Sequence, residues 1–145
     1  MENKTLIKLI EFVGARLAGK PLTVRMQQPA TKGCEGEIHR SLDDRLIIDI
    51  SPNPKDDERF LYVVLHEIAH AKHHNFVRSN EFQQLPGTIE NKQLNRIELR
   101  HEDQADAQAI EWIAWGKKHA NKTLLRVALF EAVLIALINY PGGKK

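Results

Sequence analysis

His66, Glu67, Ile68, Ala69 and His70 spell H-E-x-x-H, and the apolar run Phe60 to Leu65 leads directly into them. On a helix, residues four apart lie on one face, one turn apart, so both imidazoles can reach one metal ion. Glu67 stands about 100° round the helix from His66, placed to face a water at that metal without being a ligand. Two nitrogen ligands with a carboxylate between them suit metal-assisted hydrolysis of a peptide bond. The competing reading, a chance pair of His on a solvated helix face, fits poorly. The motif sits in an apolar stretch, where an unpaired charge is costly.

Two His leave a catalytic zinc one protein ligand short. Candidates downstream are His73 and His74, Glu98, the run His101, Glu102 and Asp103, and Asp106. Helical geometry removes His74, because eight residues beyond His66 rise about 12 Å along the axis. His73 fails for a similar reason. Position 73 is also not Gly and position 76 is Phe, so the extended pattern with a third His at that spacing is absent. The segment from Glu98 to Ala109 remains; it is rich in Ala, Glu and Gln, free of Gly and Pro, and reads as helix. Glu102 and Asp106 share a face, with Ala105 and Ala109 beside them, small enough for close approach to another helix. Such a face suits a Glu ligand on one turn and, one turn later, an Asp that holds the far nitrogen of a ligand His. The bland alternative is a solvated acidic patch.

With these two motifs the chain resembles the ImmA/IrrE family of small zinc metallopeptidases, of the gluzincin type, in which H-E-x-x-H is followed by E-x-x-x-D. The resemblance implies Zn2+ held by His66, His70 and Glu102, Glu67 as general base, and Asp106 orienting a ligand His, with His66 the expected one. It covers about 45 residues, from 66 to 109, and is close only at the two ends. Gln108 stands where the family commonly has Phe, and the stretch Trp112 to Trp115 replaces its usual ending. The implied function is a zinc-dependent endopeptidase acting on a protein or peptide substrate, such as a regulatory or repressor protein. The alternative is a catalytically silent zinc-bearing interaction module of the same fold, for which the retained Glu67 would have no use. Tyr62, His101 and His119 are candidates for donating to the oxyanion of a tetrahedral intermediate.

The elements that must position these residues are also legible. At 145 residues and 42% hydrophobic, the chain can bury one core, and one domain over 1–145 is expected. A net charge of +2, without a basic run interleaved with aromatics, gives no reason to expect direct nucleic-acid binding. A single Cys34 excludes an internal disulfide and fits a cytoplasmic location; it is not placed like a nucleophile. Lys8 and Glu11 interrupt the first apolar stretch, which argues against a signal peptide. The apolar run from Leu124 to Ile138 contains Arg126 and Glu131 and is too short to span a membrane. It is expected to pack inside the chain, or against a partner or second copy.

Leu6, Ile10, Val13 and Leu17 mark an amphipathic first helix ending near Gly19. Leu22–Met26, Glu37–Arg40 and Arg45–Ile50 read as strands, the last two spaced for an antiparallel hairpin. After the break Ser51–Pro54, Asp56, Asp57 and Glu58 supply an acidic first turn to the motif helix. Past the turn at Pro86 and Gly87, Thr88 can cap a long helix over 89–118. Asn121 or Thr123 can start a last one, and 141–145 reads as a loose tail. The expectation is an α+β fold, with a small antiparallel sheet of about three strands packed on a helical half that carries the site. Either hairpin strand can serve as the edge that the resembled family is thought to pair with extended substrate.

Overall fold

A computed structural model describes residues 3–30, 33–41, 43, 45–52, 56–73, 87–120 and 129–141, without the side chains of 3 and 87–99. The elements in chain order are α1 (Asn3–Ala18), β1 (Thr23–Met26), β2 (Gly36–Arg40), β3 (Leu46–Ile50), α2 (Asp57–His73), α3 (Gly87–His119) and α4 (Leu129–Leu137). The fold is α+β, as the pattern of periodicities predicts. His74 and the candidate helix starts Asn121 and Thr123 lie outside the described residues, as does the tail beyond Pro141.

The apolar stripe of α1 is the one its spacing predicts: Leu6, Ile10, Val13 and Leu17 are all buried. The helix stops where Gly19, at φ +75°, donates its N–H to the Ala15 carbonyl at 2.9 Å. A left-handed residue just past a helix is cheapest as glycine. Lys72, from the last turn of α2, reaches the Leu17 carbonyl at 3.4 Å and satisfies another group at that helix end.

β2 and β3 form the expected antiparallel hairpin, with Ile38 opposite Ile48. β1 departs from the expectation of an antiparallel sheet, because it pairs parallel with β3, Val24 opposite Ile48. The order is therefore β1-β3-β2 and the sheet is mixed. The connection from β1 to β2 spans the sheet, leaving room for β3 to enter between them. β3 is wholly buried, and β1 and β2 are the edges. The β1 edge is partly closed by α1, since Glu11 accepts the Val24 N–H at 2.9 Å.

α2 runs through the middle of the packing. Asp56 caps it, accepting the Arg59 N–H on its side chain at 2.8 Å and the Phe60 N–H on its carbonyl at 2.9 Å. Phe60, Leu61, Val64, Leu65, Ile68, Ala69 and Ala71 are buried on several sides of the helix, with α1, the sheet, α3 and α4 around it. This explains why the stretch reads as continuously apolar rather than as an amphipathic stripe. On α3, Ala105, Ala109 and Trp112 are completely buried. The two alanines bring its backbone close to α2. α4 buries Ala132, Val133, Leu134 and Leu137 in the chain's own core. No helix among the described residues is long and apolar enough to cross a membrane.

The close approach of α3 sets a stability prediction. Ala109→Leu adds three carbons at a completely buried site, and is expected to destabilise the fold by about 1–3 kcal/mol. Urea unfolding should show a lower midpoint with an unchanged slope.

Candidate metal centre

α2 brings the first motif to one wall of a cleft of about 570 Å³. α3 supplies Glu102 and Asp106 beside it, and consecutive residues from Gly33 to Ile38, the start of β2 and the three residues before it, form the facing wall. His66, Glu67 and His70 are each less than a tenth exposed. Glu102 is more open, with 56% of its side chain exposed.

Three ligand-type groups converge. The Nε2 atoms of His66 and His70 stand 3.1 Å apart. Glu102 lies across them, Oε1 at 2.9 Å from His66 Nε2 and Oε2 at 3.0 Å from His70 Nε2. Ligands held about 2.0 Å from one zinc in a tetrahedron stand about 3.3 Å apart, so the donor set has nearly the right span. These residues also form the only group of three metal-ligating side chains among those described.

Asp106 Oδ1 lies 2.9 Å from His66 Nδ1. An ionised carboxylate only accepts, so Nδ1 carries the hydrogen and the neutral ring presents a lone pair at Nε2. That lone pair faces Glu102, another acceptor. Two acceptors at this distance need a cation between them, a proton or a metal.

Glu67 points into the same cleft. Burial pushes its carboxyl up to about 8, with Glu102 and Glu37 adding to the rise. A carboxyl in that range can both take and return a proton near neutral pH. Gly36 of β2 fits directly against it: a Cβ there would lie 2.6 Å from Val63 Cγ1 and 3.1 Å from Glu67 Cγ. The strand wall can come this close only because the side chain is missing.

The remaining residues named from sequence fall as follows. His73 donates from Nε2 to Gln108 Oε1 at 2.8 Å, outside the metal-ligating group. Gln108 therefore has a partner on α2. Tyr62 lines the cleft, and its hydroxyl donates to Asp106. Burial, then this bond, holds the phenol above its ordinary range, so it remains a donor. His101 does not line the cleft, and His119 stacks on Trp115 at 4.0 Å near the far end of α3. The side chain of Glu98 is not among those described. Cys34 lines the cleft, and its carbonyl accepts from Gln28 Nε2 at 3.0 Å.

Sequence reasoning missed Gly36, Arg59 and Glu35. Arg59 lies over the Tyr62 ring, 5.2 Å from its centroid, and its Nη2 meets Glu35 Oε1 at 2.6 Å. A glycine at the start of a strand was the one local sign of a close approach. The Arg59 pairing depends on tertiary contacts that leave no pattern in sequence.

Comparison of the chain with protein-family models, curated proteins and solved structures gives no match.

The raised carboxyl of Glu67 predicts a pH-dependent stability. Its folded pKa of about 8 exceeds the ordinary value of 4.5. The folded state therefore holds the proton longer than the unfolded chain. Its contribution is fully favourable below about 4.5, declines as pH rises and is lost through about 8. Chelator-treated Glu67→Gln should be the more stable protein at pH 9, by about a few kcal/mol. The gap to wild type should close toward pH 4.5, as read by thermal melts across that range.

Proposed function

We propose that the chain is a zinc-dependent endopeptidase that hydrolyses peptide bonds of a protein or peptide substrate, as the ImmA/IrrE resemblance implies. The observation that carries this reading is the convergence of His66 Nε2, His70 Nε2 and the Glu102 carboxylate at 2.9–3.1 Å, three ligand-type groups spaced as one zinc ion would hold them. A buried carboxylate, Glu67, stands beside that set in an open cleft. A structural zinc site would be closed by four protein ligands and would need no such base.

His66, His70 and Glu102 would hold the ion. When bound, zinc supplies Lewis acidity toward a carbonyl and makes water more acidic. Glu67 accepts the water proton on a carboxylate oxygen and passes it to the leaving amine. Its raised pKa suits the return step. Asp106 keeps the hydrogen of His66 on Nδ1 and its lone pair on Nε2.

β2 supports the choice of a polypeptide as substrate. It is an edge strand that forms one wall of the cleft, whereas β3 is enclosed between its neighbours. An extended peptide can add to that edge through main-chain hydrogen bonds, with little demand on its sequence. A regulatory protein such as a repressor remains the substrate that the family resemblance suggests. The lone Cys34, which can form no internal disulfide, fits a cytoplasmic setting.

Elemental analysis after dialysis against a weak chelator tests the reading. Wild type should retain about one zinc per chain and Glu102→Ala should lose it. Glu67→Gln should retain zinc but hydrolyse an unfolded protein substrate about 10²–10⁴-fold more slowly. A metal-free wild type, even after zinc is added back, would refute the metal centre. Full hydrolysis by Glu67→Gln would refute the assigned base.

A further inference from the structure

We infer that Tyr62 is a positioning residue for the metal centre: its hydroxyl fixes the Asp106 carboxylate, and through it the ring of His66. This role presupposes the metal centre proposed above and adds a residue to it.

One oxygen of Asp106 receives two donors. Oδ1 accepts the Tyr62 hydroxyl and lies 2.9 Å from His66 Nδ1. Both donors come from α2, one turn apart, while the acceptor comes from α3. Tyr62 and His66 lie side by side, with ring centroids 5.5 Å apart and planes at 35°. Asp106 alone would be a weak guide for the imidazole. Its side chain is 43% exposed, so water competes with His66 for the carboxylate. The second donor removes that freedom, because a carboxylate held by two groups on a helix has one favourable orientation.

The Tyr62 ring is itself braced. Arg59, one turn earlier on α2, covers its face at 5.2 Å from the centroid. The Arg59 guanidinium is tied to Glu35 Oε1 by Nε at 2.7 Å and by Nη2 at 2.6 Å. A continuous series of contacts thus runs from the residue before β2, through α2, to the far nitrogen of a ligand His. The same geometry argues against Tyr62 as a donor to the reacting carbonyl. Its hydroxyl sits 3.4 Å from Nδ1 of His66, on the opposite side of the imidazole from the Nε2 that faces Glu102 and His70.

The test is a double-mutant cycle on the full chain, read as zinc affinity by competition with a chromophoric chelator. Tyr62→Phe keeps the ring and its packing and deletes only the hydroxyl. Zinc binding should weaken about 10-fold, within the range typical of partners that orient a ligand His. Asp106→Ala should weaken it at least as much, and adding Tyr62→Phe to Asp106→Ala should cost nothing more, because Tyr62 acts through the carboxylate. Equal zinc affinity in Tyr62→Phe and wild type would overturn the assignment, as would full additivity in the double variant. A loss of kcat in zinc-saturated Tyr62→Phe with unchanged zinc affinity would instead make it a donor to the reaction, and would also overturn it. Wild type that binds no zinc at all would remove the metal centre itself. That result is distinct from a wild type that binds zinc while Tyr62→Phe matches it.

Discussion

His66, Glu67 and His70 are held almost out of water on the helix that the rest of the chain packs around. Desolvating ionisable groups is costly unless partners replace the lost water. The surrounding structure supplies partners for part of that need, and the metal ion proposed above would supply more. Asp106 satisfies the far nitrogen of His66. Glu102 brings a negative charge to the near nitrogens of both His. Glu67 receives no such compensation, and its proton is held correspondingly more tightly. A helix with this load in its centre needs a large apolar surface elsewhere, and α2 has it in Phe60, Leu61, Val64, Leu65 and Ile68.

The apposition of α2 and α3 follows from the same need. Carboxylates have short side chains, so Glu102 and Asp106 reach the imidazoles only if the two backbones are close. Ala105 and Ala109 permit that, and Trp112, one further step along the same face, fills the volume beyond. On the other side, Gly36 lets the strand wall meet Glu67 without a clash. Small residues on two different elements thus set the width of the cleft, while the polar groups decide what it holds.

Much of this was legible in the chain. The stripe of α1 and the positions of three strands follow from local periodicity and turn residues. The motif helix, and the face shared by Glu102 and Asp106, follow from spacing alone. Strand orientation did not follow. Alternation specifies which side of Val24 or Ile48 faces the core, but it is blind to direction. The parallel pairing of β1 with β3 depends on how a connection crosses the sheet. The bracing of Tyr62 by Arg59 and Glu35 was hidden for a similar reason. Arg59 reads as an ordinary charged residue near a helix start until β2 is placed opposite it. The pairing of Gln108 with His73 across α2 and α3 is likewise tertiary and leaves no pattern in the sequence.

The insertion of β3 between its neighbours leaves β2 at the edge of the sheet among the described residues, and a sheet edge ordinarily invites a second copy of the protein to dock, sheet against sheet. Here the edge is recessed. The far side of the cleft is built from α2 and α3, and another strand would have to fit at the usual spacing of about 4.8 Å within that space. One extended segment can thread such a slot, whereas a folded sheet would carry its own neighbours and covering helices into the walls. For the endopeptidase proposed above, such a recess would favour a locally unfolded segment of substrate over a strand held within a folded sheet.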